Sequence, residues 1–291
     1  MVFIHQIPFN VKYLTPSIKI RMSIEIIGTG HIFEKSVREV RESIQRLGPD
    51  VVALELDDSR FRGLAAQGFS MEFQEGDVDF RSLLVKVLRG GSLPVFIQSL
   101  LGGVQRELGK RYGIKPGADM CAAVLAAREV GGRILLIDRD IEVTINHLLA
   151  IPLREKIALF TSRDEDLEVM VGLMGSNLEN LLEEGVLVKV MDSLKRNTPG
   201  LYAALVDERD RYMALQLDSF RKKNPDSQII AVVGAGHRQG IKDYLKKLEG
   251  GYEISMHSLV SMRKTPIYSG LFLIFAVVLA YILTKIRFRG K

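Results

Sequence analysis

A single cysteine, Cys121, in 291 residues excludes a disulfide framework and any zinc site built from several thiolates. No Gly-x-Ser-x-Gly elbow is present, and neither glycine-rich turn carries Gly-Lys-Ser/Thr, so serine-hydrolase and P-loop chemistry lose their usual signatures. Acidic residues are missing after Ser261, where six basic ones follow: Arg263, Lys264, Lys285, Arg287, Arg289 and Lys291. The surplus of +5, with a pI near 9.2, is confined to that tail, and residues 1–261 are close to neutral. A globally basic nucleic-acid binder is excluded on that ground. The content is 47% hydrophobic and 26% charged residues, which describes a globular chain with ample core and excludes a disordered or collagen-like one.

From Ile267 to Leu283 no residue is charged, and a tyrosine stands near each end. A membrane helix needs about 17–25 apolar residues, so this run predicts a single-pass C-terminal anchor bracketed by basic residues. Residues 1–21 contain Pro8, Asn10, Lys12 and Pro16, which break any signal-peptide core. The expectation is therefore a tail-anchored protein with a cytoplasmic domain, although the local charge count also favours a cytoplasmic C-terminus. Met22, just before the first strong strand, is an alternative start to Met1. The expected organisation is an N-terminal extension over 1–21, an α/β domain over 22–262 with a helical insertion at about 152–223, and a membrane anchor over 263–291.

The chain repeats itself. Ile24-Glu25-Ile26-Ile27-Gly28-Thr29-Gly30-His31 is matched by Ile230-Ala231-Val232-Val233-Gly234-Ala235-Gly236-His237, each an apolar run, a Gly-x-Gly-His turn and an amphipathic helix. Ser36 and Glu39 read as a capping box for the first helix, which Pro49 stops. Val51–Leu56 and Ile134–Asp138 read as buried parallel strands, each delivering a carboxylate at or near its end. Asp119 and Met120 open a small-residue helix that holds Cys121 as core. The insertion is expected to break at Gly185 and at Thr198-Pro199-Gly200 and to cap the carboxyl edge of the sheet, and residues 250–262 are expected to add a last strand.

Ligands of an open α/β sheet bind at the carboxyl ends of its strands. Those ends deliver His31, Glu55, Asp138 and His237, all side chains that bind metals or move protons. The glycines Gly28, Gly30, Gly234 and Gly236 remove Cβ bulk, so a substrate or ion gains access to the backbone. Two imidazoles and a carboxylate leave open positions for water on a divalent metal, the arrangement of hydrolytic sites. The glycine turns fit the dinucleotide fingerprint poorly, because the first lacks its third glycine and the second has it one residue late, at Gly240. Arg60 and Arg209 are candidates to clamp a substrate carboxylate or steady an oxyanion.

The ordered set Ile27–His31, Pro49–Leu56 with Arg60, Gly113–Gly117, Leu136–Ile141, Glu208–Ala214 and Val233–His237 resembles the TraB/PrgY pheromone-shutdown family, related to the TIKI and GumN proteins, over roughly residues 22–245. The resemblance implies a TIKI/TraB-like α/β fold with a mixed sheet and paired Gly-x-x-His strand-turn-helix repeats. In the TIKI branch it also implies a peptidase dependent on a divalent metal, manganese or cobalt. His31, Glu55, Arg60, Arg209 and His237 fall on the family's motif residues. Asp119 stands where members often have Glu, and Asn146 where many have Arg.

The resulting expectation is a membrane-anchored, metal-dependent hydrolase of peptide-like substrates. His31, His237 and Glu55 are its metal ligands, Glu55, Arg60 and Arg209 its catalytic groups, and Gly28, Gly30, Gly234, Gly236, Asp138 and Arg139 line its substrate. The expected partners are a peptide substrate or signal and membrane lipid; a homodimer is an allowed assembly and nucleic acid is not a partner. The alternative is a binder that sequesters a peptide signal or tethers at the membrane without cleavage. A third reading is haem or nucleotide binding through the glycine turns.

Overall fold

A computed structural model describes residues 4–5, 24–29, 34–70, 117–155 and 184–265. Gly30, His31, most of Gly113–Gly117, both candidate start methionines and the apolar run 267–283 lie outside these residues. Among the described residues, no helix is long and apolar enough to cross a membrane.

Five strands form one sheet: β1 (Ile4–His5), β2 (Ile24–Thr29), β3 (Val51–Leu54), β4 (Arg133–Leu136) and β5 (Ile229–Gly234), in the order β1-β4-β3-β5-β2. The last four neighbours are parallel, and β1, contributed by the N-terminal extension, is antiparallel to β4 at the edge. β3 and β5 read as unbroken apolar runs because both faces of the sheet are covered. Alternation along them then divides the core. Val52, Leu54, Ile230 and Val232 pack on one side with Val40 and Ile44 of α1 (Glu34–Leu47) and the alanine-rich face of α3 (Ala118–Glu129). Val51, Ala53, Ile229, Ala231 and Val233 pack on the other with Met213, Ala214, Leu217 and Phe220 of α7 (Glu208–Lys223) and Ile241, Leu245 and Leu248 of α8 (Ala235–Glu249). Small residues let α3 sit close to the sheet, and Cys121 is fully buried within it, as expected of a core thiol.

The remaining helices are α2 (Asp58–Ala66), α4 (Ile141–Ala150), α5 (Glu184–Asn197), α6 (Pro199–Tyr202) and α9 (Met256–Val260), with a π-helical turn at Ala203–Asp207 feeding α7. The insertion breaks at Thr198 with Pro199 opening α6, but Gly185 lies inside α5 rather than between helices. α7 covers a face of the sheet and brings only its first turn toward the carboxyl edge. α1 is described from Glu34, so Ser36 and Glu39 lie within its described span.

Residues 250–262 do not form the expected strand. They carry the short helix α9, and side chains rather than a sheet edge bind this segment's carbonyls: Arg139 Nη1 donates to Leu259 O at 3.0 Å and His147 Nε2 to Ser261 O at 2.9 Å.

Candidate functional site

The register brings the strand ends into line. Thr29 pairs with Gly234 and Leu54 with both Val232 and Leu136, so the chain leaves β2, β3, β4 and β5 along a common edge. Beyond β3 the ladder continues, with Glu55 N–H donating to Val232 O at 3.1 Å and Ile137 N–H to Leu54 O at 3.0 Å. Glu55 and Asp138 are thereby fixed by backbone bonds before their side chains make any contact. Asp57 caps α2, accepting from Arg60 N–H and from Arg60 Nε, both at 2.8 Å, which aims that guanidinium back across the edge.

Arg209 is the hub. From the first turn of α7 its Nη2 donates to Glu55 Oε1 and to Asp138 Oδ2, the latter at 2.6 Å, and its Nε donates to Asp138 Oδ1 at 3.2 Å. Its Nη1 reaches Leu205 O at 3.2 Å and His237 Nε2 at 2.9 Å. Asp138 also accepts from Arg60 Nη2 at 2.5 Å. Burial alone would raise the Asp138 carboxyl, but Arg209 and Arg60 outweigh it and hold it well below the usual carboxylate range. Burial likewise works against the charge on Arg209, and Asp138 with Glu55 reverse that and drive it upward.

His237 lies in the first turn of α8, after Gly234, whose N–H donates to Glu55 Oε2 at 2.6 Å. Its Nε2 faces an arginine N–H, so the proton belongs on Nδ1, which donates to Asp210 Oδ1 at 2.6 Å. The Nε2 lone pair is thus turned toward the hub, 3.4 Å from Glu55 Oε1. Burial pushes the Asp210 carboxyl up to about 6, although the bond from His237 opposes this. Gly240, one turn beyond His237, makes room for that carboxylate, because a Cβ there would overlap Asp210 Oδ2.

Of the expected site residues, Glu55, Arg60, Asp138, Arg209 and His237 come together. Arg139 does not line this edge. Its backbone N–H donates to Asp138 Oδ1 at 2.8 Å, but its guanidinium, 1% exposed, turns into a second network. There it donates to Thr144 Oγ1 at 2.9 Å, Glu208 Oε2 at 2.9 Å, Ala204 O at 2.8 Å and Leu259 O. Gly28 serves packing: a Cβ there would lie 3.2 Å from both Ala235 Cα and Arg238 Cδ, so its lack of a side chain lets β2 approach α8. Gly234 contributes its N–H, and Gly236 faces Met191 Cε, 3.4 Å from where a Cβ would stand. Thr29 Oγ1 donates to the buried Asp119 Oδ2 at 2.5 Å, tying the start of α3 to the end of β2. The residues that sequence reasoning passed over are Asp57, Asp210, Glu208 and His147. For Asp210 the available signal was Gly240, spaced one helical turn from His237.

The chain matches one described protein family over residues 19–256, under the name TraB/PrgY/gumN family. It belongs to that family. An uncharacterized protein of Methanocaldococcus jannaschii is 37% identical over 246 residues, covering 83% of this chain and 58% of that relative. TraB domain-containing proteins of Bos taurus and Mus musculus are 25% and 26% identical over 239 residues, 75% of this chain and 61% of theirs. The matched part of the TraB chain therefore spans about three fifths of the length of each of these relatives.

The TraB site can be tested against the divalent metal that the family resemblance implies. His237, with Nδ1–H held by a carboxylate and Nε2 directed inward, has the posture of a metal-ligating imidazole, and Glu55 supplies a hard oxygen beside it. The donor chemistry fits as two ligands once Arg209, whose guanidinium engages both donor atoms here, gives way to the metal. Among the described residues no group of three or more His, Cys, Asp or Glu side chains gathers as a metal set. His31, the expected third ligand, is outside the described residues.

Proposed function

We propose that this TraB protein is a membrane-anchored hydrolase acting on a peptide-like substrate, with a divalent metal, manganese or cobalt, held by His237, Glu55 and His31. The observation that carries the reading is the convergence of His237 Nε2 and Glu55 Oε1 at 3.4 Å, with Asp210 behind the imidazole. When bound, the metal would supply a water acidified enough to attack a carbonyl near neutral pH. The protein's own residues do the orienting. Asp210 keeps the proton on His237 Nδ1 and the lone pair inward, and Gly234 N–H holds Glu55 Oε2 so that Oε1 faces the same point. Arg209 fixes Glu55 against Asp138 and supplies positive charge where an oxyanion would develop, and Arg60 braces Asp138 from the other side. The membrane part of the reading is supported by the uncharged run 267–283 and its basic brackets.

The non-catalytic reading, a protein that sequesters a peptide signal or tethers at the membrane, is favoured by a different observation: Arg209 engages both Glu55 and His237. One experiment separates the two. Metal content and cleavage of a peptide panel are compared between the full chain and a His31→Ala/His237→Ala double variant. The hydrolase reading expects about one equivalent of manganese or cobalt in the parent and little in the variant, with cleavage lost alongside. Equal metal content in both overturns it, and peptide binding without cleavage in both establishes the binder.

A further inference from the structure

The Arg139 network connects the proposed site to the segment that precedes the apolar run. Three pairs of consecutive residues are split between the two networks. Asp138 lies in the site and Arg139 behind it. Leu205 O accepts from Arg209 at 3.2 Å, whereas Ala204 O accepts from Arg139 at 2.8 Å. Arg209 lies in the site and Glu208 behind it, bonded to Arg139 through Oε2. Successive side chains on a helix diverge by about 100°, so neither Glu208 nor Arg209 moves without turning the other.

The back network is closed by a strap, residues 255–263. Leu259 O and Ser261 O accept from Arg139 and His147, and Arg263 Nη2 donates to Glu208 Oε1 at 2.5 Å. Asn146 grips the strap's end in both directions, with Arg263 N–H donating to Asn146 Oδ1 at 2.6 Å and Asn146 Nδ2 to Arg263 O at 3.2 Å. His147 Nδ1 contacts Glu208 Oε2 at 2.6 Å, so this one carboxylate gathers Arg139, His147 and Arg263. Burial would raise the Glu208 carboxyl, and those three partners pull it below its ordinary value. Val260 and Met262 of the strap are exposed, so polar contacts and the buried Leu259 hold it rather than a continuous apolar face.

We propose that the strap acts through the Arg139–Glu208 pair as a positioning clamp for Asp138 and Arg209, so that the site is fully set only while the strap is seated. In sequence the bracketed apolar run 267–283 begins shortly after the strap ends. The proposal takes the Arg209 hub to be the functional site, but it requires neither bound metal nor peptide cleavage.

The test is solution NMR of the full chain with Asn146→Ala, which loosens the strap without removing a partner of Glu208, and with Asn146→Ala/Arg263→Ala, which also removes one of that carboxylate's three partners. Amide exchange at Ser261, whose N–H donates to His257 O and not to Asn146, reports whether the strap is seated. The Arg209 Nε–H signal and the His237 ring shifts report on the site. The expected result is exchange roughly tenfold faster in the strap, with the Arg209 Nε–H signal broadened or lost and the His237 ring signals moved. A released strap with unchanged Arg209 and His237 signals overturns the clamp. An unchanged exchange rate in the double variant overturns it as well, since these contacts would then not seat the strap. Neither readout involves metal or substrate, so the clamp and the hydrolase reading fail separately.

Discussion

Arg139 donates to Glu208 at 2.9 Å inside the protein, and the residues immediately beside them, Asp138 and Arg209, make the same pairing with the charges exchanged. The two ion pairs stand back to back across the same two segments of chain. Breaking a buried pair by removing one partner leaves the other charge without compensation, which costs far more than losing an exposed pair.

Arg139→Met should therefore destabilise the protein by about 3–5 kcal/mol, because Glu208 loses a buried partner and two backbone carbonyls lose their donor. Arg41→Ala, which removes an exposed pair with Glu129, should stay within about 0.5 kcal/mol. Urea denaturation of both variants checks the contrast, and equal costs would show that the second network is not a buried ionic core.

Gly240→Ala forces a methyl group onto the Asp210 carboxylate and should cost about 1–3 kcal/mol. In an Asp210→Ala background most of that cost should vanish, leaving less than about 1 kcal/mol. A double-mutant cycle by chemical denaturation measures the difference, and additive costs would rule out this role for Gly240.

Stability should be greatest near about pH 4 and decline from there as pH rises through about 6. Asp138 is held below its unfolded value, so its contribution is present above about pH 4 and fades as the carboxyl is protonated in acid. Asp210 is raised to about 6, so its contribution is complete below about pH 4 and is lost as pH rises through 6. Asp210→Asn should flatten the upper limb, by on the order of 2 kcal/mol, while leaving the acid limb in place. Denaturant midpoints at several pH values test both signs.

Cys121 is fully buried among the alanines of α3, so a thiol reagent should label it only through opening of the core. Labelling should slow in proportion to stability across the variants above, and fast labelling of the native protein would contradict the packing of α3.

The strand ends were legible in the sequence for a simple reason: Glu55 and Asp138 each follow a short apolar run set off by glycine or proline on its N-terminal side, and His237 repeats a turn already met. The neighbours were not. Arg139 adjoins Asp138 in sequence and was expected to share its surroundings, yet the chain bends at Asp138, past the end of β4, and the two side chains enter different networks. Asp207-Glu208-Arg209-Asp210 has the composition of a solvated helix face, whereas Glu208 and Asp210 are buried; partners distant in sequence make that tolerable. Gly240 looked like a misplaced nucleotide-binding glycine, because the carboxylate it clears comes from another helix. The segment at 250–262 was expected to be a strand because nothing in its own residues shows that Arg139, His147 and Asn146 will bind its backbone.

The sheet order also constrains how the chain is made. β5 lies between β3 and β2 although it is the last described strand in sequence, and among the described residues β2 pairs with it alone, Ile24 opposite Ile229. A ribosome releasing this protein holds β2 without its β5 partner until residues 229–234 emerge. Pairings so distant in sequence are slow to form, and the exposed edges of β2 and β3 are open meanwhile to other chains. Placing the repeat's two copies side by side thus makes that edge of the sheet wait for the last described strand.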